Sequence, residues 1–184
     1  MRKISGENQG ITKPMTHVYA GCGKGKTSAA LGAGLRAAGH GLKVTMIQFL
    51  KDGKSGELAA LSSVANFSIC SLCHETESFF WQMSNEEKTI LKEKTEKAFA
   101  FAESLIAKNT CDVLILDEIF GCITNRLLPL ERLINLIKNK TFELILTGHE
   151  APAEVIELAD YVSIIKCEKH PFEKGYSARC GFEY

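Results

Sequence analysis

The stretch "AGCGKGKTSAA", residues 20–30, decides the fold. Phosphate-binding P-loops follow the pattern G-x-x-x-x-G-K-[ST] and lie between a strand and a helix. The ending of that pattern is present as "GKT" at residues 25–27, whereas Ala20 occupies the position of its first glycine. An extra Gly–Lys step precedes the ending, at residues 23–24. The stretch therefore predicts a phosphate-binding loop of unusual construction.

The residues around this loop alternate between strand and helix patterns. "THVYAG" (16–21) predicts a strand that leads into the loop, and residues 25–41 predict the helix that follows it. Ser84 and Glu87 form a capping box that opens a long helix. Further strands are predicted at 43–50, 66–70, 112–118, 142–148 and 161–166, and further helices at 129–139 and 151–160. This order predicts an α/β fold of the P-loop NTPase (RecA-like) type, with a mostly parallel central sheet of about six strands flanked by helices.

Length and composition suit one globular domain. We predict a flexible N-terminal arm over residues 1–16 and a single nucleotide-binding α/β domain over residues 17–184. The formal net charge is zero, which argues against a general nucleic-acid binder. The apolar runs are too short to cross a bilayer, so we expect no membrane partner.

Seven cysteines, an odd number, are scattered along the chain without a secretory signal, which predicts reduced thiols and a cytoplasmic location. Cys70, Cys73 and His74 make a partial zinc pattern. No second C-x-x-C appears to complete four ligands, so we expect no zinc site.

The loop residues have distinct chemical roles in phosphate binding. Gly21, Gly23 and Gly25 let the backbone turn tightly and direct N–H groups at anionic oxygens, and the helix adds its positive N-terminal end. Lys26 supplies a positive charge for phosphates, and Thr27 supplies a hydroxyl for Mg²⁺. The loop thus predicts binding of a Mg-nucleotide.

A pair of carboxylates supports the same prediction. Asp117 and Glu118 end the apolar strand at 112–118. In P-loop folds a carboxylate at this position lies beside the loop and holds the metal directly or through water. We expect Mg²⁺ at Thr27 and Glu118. These features alone leave open a kinase or ATPase that acts at the terminal phosphate, with Glu118 as the base.

Four blocks of the sequence together resemble one family. They are "GCGKGKTSAALGAGLRAAGHGLKVTMIQFLK" (21–51), "SFFW" (78–81), "LILDE" (114–118) and "TGHEAP…KHPFEKGYSARCGFEY" (147–184). This combination is similar to the P-loop type of ATP:corrinoid adenosyltransferase, the BtuR/CobO/CobP group. The resemblance covers nearly the whole chain after residue 16, and nucleotide binding in general does not require "RAAGHG", "IQF" or the pattern "KHPF…G…A…G.EY".

The resemblance implies a reaction at the ribose end of ATP. The family transfers the 5′-deoxyadenosyl group of ATP to the cobalt of a reduced corrinoid, cob(I)alamin or cob(I)yrinic acid a,c-diamide, and releases triphosphate. ATP lies reversed in the loop relative to other P-loop enzymes, so that the ribose 5′-carbon is exposed. The implied cofactor is Mg²⁺, with ATP as co-substrate and the corrinoid as substrate. The implied partners are an electron-donating reductase or flavodoxin and a second copy of the chain in a homodimer.

The resemblance also assigns roles to individual residues. Phe79 and Trp81 align with the Phe and Trp that remove the lower axial ligand of cob(II)alamin, which makes the cobalt easier to reduce. With Lys26 and Glu118 they form the implied catalytic set. The implied nucleotide-binding set is Gly21, Cys22, Gly23, Lys24, Gly25, Lys26, Thr27, Ser28, Arg36 and His149.

Two residues depart from the family pattern. Cys22 replaces the usual Asp or Asn of the loop, and His149 replaces an Arg in "TGR" that contacts phosphate. A neutral His is a weaker phosphate partner, and Lys169 and Arg179 are candidates to compensate for it. These departures leave open a third interpretation, a nucleotide-dependent binding module without catalysis.

Overall fold

The structure, a computed structural model, describes residues 11, 13–51, 56–71, 80–179 and 181–182. The strands are β1 (Thr16–Ala20), β2 (Val44–Gln48), β3 (Phe67–Ser71), β4 (Val113–Asp117), β5 (Glu143–Gly148) and β6 (Tyr161–Ile164). They form one six-stranded sheet in the order β3-β2-β4-β5-β1-β6. Every neighbouring pair is parallel. The predicted α/β fold of the P-loop NTPase type, with about six strands, is confirmed.

Helices connect the strands. They are α1 (Lys26–Gly39), α2 (Gly56–Leu61), α3 (Asn85–Lys108), α4 (Ile119–Thr124), α5 (Leu130–Asn139) and α6 (Ala153–Leu158), and 3-10 turns cover Phe80–Gln82 and Pro171–Lys174. The sequence did not predict α2 and α4. Each has only six residues and lacks the proline that marks the starts of α5 and α6, so neither a helical repeat nor a start signal is visible in its sequence. No helix among the described residues is both long and apolar enough to cross a membrane.

The sheet is covered on both faces, as its apolar strands require. Successive side chains of a strand point to opposite faces. Leu114 and Leu116 of β4 accordingly belong to one core cluster, which includes residues of α3, α4, α5 and α6. Val113 and Ile115 belong to a second cluster, which includes residues of α1 and α2. All five residues of β4 are buried, which explains the near-continuous apolar run in its sequence.

The predicted capping box opens α3. The backbone N–H of Glu87 donates to the hydroxyl of Ser84, and the backbone N–H of Ser84 donates to the carboxylate of Glu87. Asn109 closes the helix in the left-handed conformation that often follows a last helical turn. The local sequence thus determines both ends of the longest helix.

The predicted N-terminal arm lies mostly outside the described residues, and its boundary stays a prediction. The first strand begins at Thr16, one residue earlier than the predicted domain start. The N–H of Met15 donates to Glu143 Oε2, and the N–H of Thr16 donates to Asp160 Oδ2, both at 2.8 Å. The chain is therefore attached to the sheet from residue 15 onward.

The edge strand β6 is the least covered part of the sheet. All four of its residues are exposed. Tyr161, Val162 and Ile164 are 51%, 41% and 54% exposed, respectively. Large apolar side chains of the following segment are exposed as well, among them Phe172 and Tyr176. This edge presents an apolar surface beside the end of β1.

Candidate active site

The carboxyl ends of the central strands meet at one edge of the sheet. The loop 21–25 follows β1, Asp117 ends β4, Thr147 lies at the end of β5, and Lys51 follows β2. Ligands of open parallel α/β sheets bind outside the carboxyl ends of the strands. Residues 21–25 and 117–118, which the sequence analysis singled out, are therefore brought to one place.

The first two glycines of the loop are needed for close backbone packing. Gly21 has φ +117°, and a Cβ there would lie 2.3 Å from the carbonyl oxygen of Ile165. A Cβ on Gly23 would lie 2.6 Å from the carbonyl oxygen of Lys166. The N–H of Gly21 donates to the carbonyl of His149, and the N–H of Gly23 donates to that of Ile165, both at 2.8 Å. The loop is thus anchored to the segments that follow β5 and β6.

These anchors differ from the expectation that the N–H groups of Gly21 and Gly23 face phosphate. Both donors are already used by main-chain carbonyls. The donors available to an anion lie further on, because the first N–H groups of a helix have no intrahelical acceptor. Gly25 precedes α1 with φ 112°, and among the described residues no side chain caps the helix. The N–H groups at residues 25–28 therefore lie at an uncapped helix start, the kind of place where proteins commonly bind anions.

Lys26 is held across the loop. Its Nζ donates to the carbonyl oxygen of Gly21 at 2.9 Å and to that of Gly23 at 3.0 Å. The ammonium therefore lies over the loop at the start of α1. Cys22, Lys24 and Ser28 are exposed around it.

Asp117 is the carboxylate that contacts the loop helix. The hydroxyl of Thr27 donates to Asp117 Oδ1 at 2.9 Å, and the hydroxyl of Thr147 donates to the same oxygen at 2.7 Å. Lys51 Nζ lies 2.8 Å from Asp117 Oδ2 and 3.2 Å from Thr27 Oγ1. Asp117 is completely buried, so these contacts supply the compensation that a buried charge requires.

Glu118 lies beside these side chains, but Asp117 is the carboxylate that contacts Thr27. Its backbone is left-handed, with φ 60°, and its N–H donates to the hydroxyl of Thr147 at 2.9 Å. Burial raises the pKa of the Glu118 carboxyl, the charge of Asp117 raises it further, and Lys26, Lys51 and His149 oppose the shift. The Glu118 carboxyl thus lies within the electrostatic reach of Asp117, Lys26, Lys51 and His149.

The residues present fit a magnesium ion. Mg²⁺ prefers oxygen ligands and commonly uses one or two carboxylates together with water and substrate phosphates. The Thr27 hydroxyl and the buried Asp117 carboxylate supply such oxygens. The ammonium of Lys51 beside both of them shows that the space between them accepts a positive charge. Glu118 is the neighbouring carboxylate, as the sequence analysis expected, but Asp117 makes the contact with Thr27.

Lys51 and Thr147 were not among the predicted site residues. A signal for Lys51 exists, because it is the first charged residue after the strand predicted at 43–50 and so falls at the loop's edge of the sheet. Thr147 lies near the end of the strand predicted at 142–148, immediately before Gly148 and His149. Only the pairing of β4 with β5 shows that its hydroxyl reaches Asp117.

Two predicted nucleotide-binding residues, His149 and Arg36, differ in their distance from the loop. His149 is exposed directly after β5 and accepts from the N–H of Gly21, so it borders the loop. Arg36 lies in the last turn of α1, ten residues from Lys26, which is roughly 15 Å along a helix. The structure therefore does not bring Arg36 to the start of α1, where the loop lies.

The aromatic candidates are only partly described. Phe79 lies outside the described residues. Trp81 lies in the 3-10 turn before α3 and is 73% exposed. Its neighbour Phe80 packs against the core, with Lys88 Nζ 5.3 Å from the centre of its ring. The backbone thus directs Phe80 inward and presents Trp81 at the surface.

The partial zinc pattern gains no partner within the described part of the chain. Cys70 is exposed on β3, whereas Cys73 and His74 lie outside that part. No group of three or more His, Cys, Asp or Glu side chains among the described residues is arranged to hold a metal ion. The absence of a zinc site stays a prediction.

Comparison with known proteins gives a consistent result. The family model described as "ATP:corrinoid adenosyltransferase BtuR/CobO/CobP" matches residues 12–184. The chain is 32% identical over 171 residues to the corrinoid adenosyltransferase of Escherichia coli (strain K12), covering 91% of this chain and 84% of the relative. It is 30% identical to the corrinoid adenosyltransferase CobA of Salmonella typhimurium with the same coverage. It is 32% identical to the Pseudomonas aeruginosa corrinoid adenosyltransferase, covering 91% of this chain and 82% of the relative. The chain therefore belongs to the ATP:corrinoid adenosyltransferase family BtuR/CobO/CobP.

Proposed function

We propose that this protein transfers the 5′-deoxyadenosyl group of ATP to the cobalt of a reduced corrinoid and releases triphosphate. The corrinoid is cob(I)alamin or cob(I)yrinic acid a,c-diamide, and the product of the first is adenosylcobalamin. Membership of the family, and similarity to relatives that are named corrinoid adenosyltransferases, support this reaction. The single structural observation that supports it best is the uncapped start of α1 with Lys26 held over the loop.

The site suits stabilisation of a leaving triphosphate. Cob(I) is itself a strong nucleophile, so the protein needs to bring the ribose 5′-carbon into line and to stabilise the negative charge that grows on triphosphate. The N–H groups at residues 25–28 and the ammonium groups of Lys24 and Lys26 offer that stabilisation. Mg²⁺, when bound, adds positive charge to the leaving triphosphate. We infer that Thr27 and Asp117 hold it, with Glu118 beside them.

Trp81 and Phe79 are the proposed corrin-face residues. Trp81 is 73% exposed, and the large exposed area of its indole supports this role. Their proposed action is to keep the lower axial ligand away from cob(II), so that a reductase or flavodoxin can deliver an electron. The proposal places this reaction in the cytoplasm.

A homodimer is part of the proposal. The exposed apolar side chains of Tyr161, Val162 and Ile164 on the edge strand support a contact with a second copy. Light scattering of the purified protein tests it. A molar mass near twice that of one chain is expected, and the mass of a single chain would contradict the dimer.

A product assay tests the proposed reaction. Chemically reduced cobalamin and Mg-ATP are supplied, and the products are separated by chromatography. Adenosylcobalamin and triphosphate are expected in equal amounts, whereas ADP with phosphate would indicate a kinase or ATPase. Lys26→Ala should slow adenosylation by about 10²- to 10³-fold, the effect of losing one preorganised donor to a developing anion. A matched control is Lys138→Ala, which should leave the rate unchanged, since Lys138 is exposed in the last turn of α5, before the amino end of β5.

A further inference from the structure

Lys51 lies between the two oxygens that fit a metal ion. Its Nζ is 2.8 Å from Asp117 Oδ2 and donates to Thr27 Oγ1 at 3.2 Å. The hydroxyl of Thr27 donates to Asp117 Oδ1 at 2.9 Å, so the three side chains contact one another pairwise. Glu57 Oε1 is 4.0 Å from the same ammonium, beyond hydrogen-bond range. The close contacts of Lys51 are thus with the hydroxyl and the carboxylate.

An ammonium group and a metal ion cannot share this position. Mg²⁺ binds its oxygen ligands at about 2.0–2.1 Å in octahedral geometry, which requires direct access to the oxygen lone pairs. Two like charges a few ångströms apart also repel strongly in a partly buried site. Lys51 must therefore leave Thr27 and Asp117 before a metal ion binds both of them.

We propose that Lys51 holds the metal position in the nucleotide-free protein and moves to the triphosphate when Mg-ATP binds. The inference rests on the proposed function for the orientation of ATP, which places triphosphate at the start of α1. Lys51 then has two successive partners. It compensates the buried charge of Asp117 before Mg-ATP binds, and it contacts the leaving triphosphate afterwards.

The position of Lys51 permits this movement. Its side chain is 26% exposed, whereas that of Asp117 is completely buried, so the lysine is the partner with room to turn. A lysine carries its charge on a flexible four-carbon stem with three donors. Because Thr27 lies in the first turn of α1, the Lys51 ammonium is already close to the helix end where the triphosphate would bind.

The charges of the site favour the same exchange. Triphosphate carries more negative charge than Mg²⁺ carries positive charge, so loading makes the site more negative. Asp117 gains the metal ion as its new counter-charge, which frees Lys51 for the phosphates. A lysine that remained on Asp117 would oppose the metal ion and leave part of the phosphate charge without a partner.

Metal binding without nucleotide is the first test. Mn²⁺ is used as the probe, because it accepts the same oxygen ligands as Mg²⁺ and electron paramagnetic resonance detects it directly. Lys51→Met should tighten Mn²⁺ binding by about ten- to a hundredfold, the contribution of one hydrogen bond to a charged group. Lys43→Met is the matched control, because Lys43 is exposed at the opposite end of β2. It should leave the affinity unchanged.

The second test measures the binding of inorganic tripolyphosphate with Mg²⁺ by calorimetry. Here Lys51→Met should weaken binding by about tenfold, because the charged donor to phosphate is lost. The two affinities are thus expected to change in opposite directions. A lysine that only neutralises Asp117 would give tighter metal binding without weaker tripolyphosphate binding.

Either of two results would overturn the inference: an unchanged affinity for Mn²⁺, or an unchanged or higher affinity for Mg-tripolyphosphate. Should Lys51→Met not fold, Lys51→Gln retains a donor to Asp117 without the charge and must give the same pair of changes. Neither binding measurement contains a corrinoid. A failure of adenosyl transfer would therefore contradict the proposed function while leaving these two results interpretable.

Discussion

Thr147 offers a direct test of how the carboxylate pair is positioned. Its hydroxyl donates to Asp117 Oδ1 at 2.7 Å and accepts from the N–H of Glu118 at 2.9 Å. Thr147→Val keeps the shape of the side chain and removes both hydrogen bonds. A hydrogen bond to a charged group contributes about 1.5–3 kcal/mol, and a buried N–H left without an acceptor costs at least about 1 kcal/mol more. We expect a loss of roughly 3 kcal/mol in the free energy of unfolding.

The assay is thermal unfolding, monitored by circular dichroism. For a chain of this length, each kcal/mol lost from the free energy of unfolding lowers Tm by about 2–4 °C, so Tm should fall by roughly 6–12 °C. Thr16→Val is the matched control. Thr16 is equally buried in the neighbouring strand β1, and its hydroxyl has no partner among the described residues. That variant should change stability by less than about 0.5 kcal/mol or increase it. Equal Tm shifts in the two variants would refute the assigned role of Thr147.

Three further predictions concern the surroundings of the site. His149→Arg should lower KM for ATP, because a permanent charge beside Gly21 strengthens phosphate binding; an unchanged KM would show that residue 149 does not face phosphate. Burial raises the pKa of the Cys122 thiol to about 12, so iodoacetamide at pH 8 should spare it in the folded protein and modify exposed Cys22, which Mg-ATP should protect. Mass spectrometry that finds native Cys122 alkylated as fast as Cys22 would contradict this. Trp81→Ala should impair adenosylation from cob(II) with a reductase far more than from chemically prepared cob(I); equal losses in both assays would argue for a structural role.

Local patterns predicted most of the fold. The glycine loop between a strand and a helix determines β1, α1 and the position of Lys26 within short stretches of chain. The capping box at Ser84 and Glu87 likewise acts over three residues. Buried strands such as β4 show their burial as continuous apolar runs. These features depend on neighbours in the sequence, which is why they are legible without the structure.

The contacts of the site depend on distant pairings and were less predictable. Asp117 and Glu118 are adjacent, and only the conformation at the end of β4 decides which of them meets Thr27. Lys51 reaches Asp117 because β2 pairs with β4. The N–H groups of Gly21 and Gly23 are used by segments more than a hundred residues away in sequence. The composition of a loop does not reveal such partners.

The fate of the ribose 5′-carbon tests the central claim most directly. ATP labelled with ¹³C at C5′ is incubated with Mg²⁺, chemically prepared cob(I)alamin and the protein, and the products are followed by ¹³C and ³¹P NMR. Transfer at C5′ predicts that the label moves to a carbon bonded to cobalt and that the phosphorus is recovered as tripolyphosphate. Label retained in ADP, with phosphate or a phosphorylated acceptor as the other product, would contradict adenosyl transfer and indicate chemistry at the terminal phosphate.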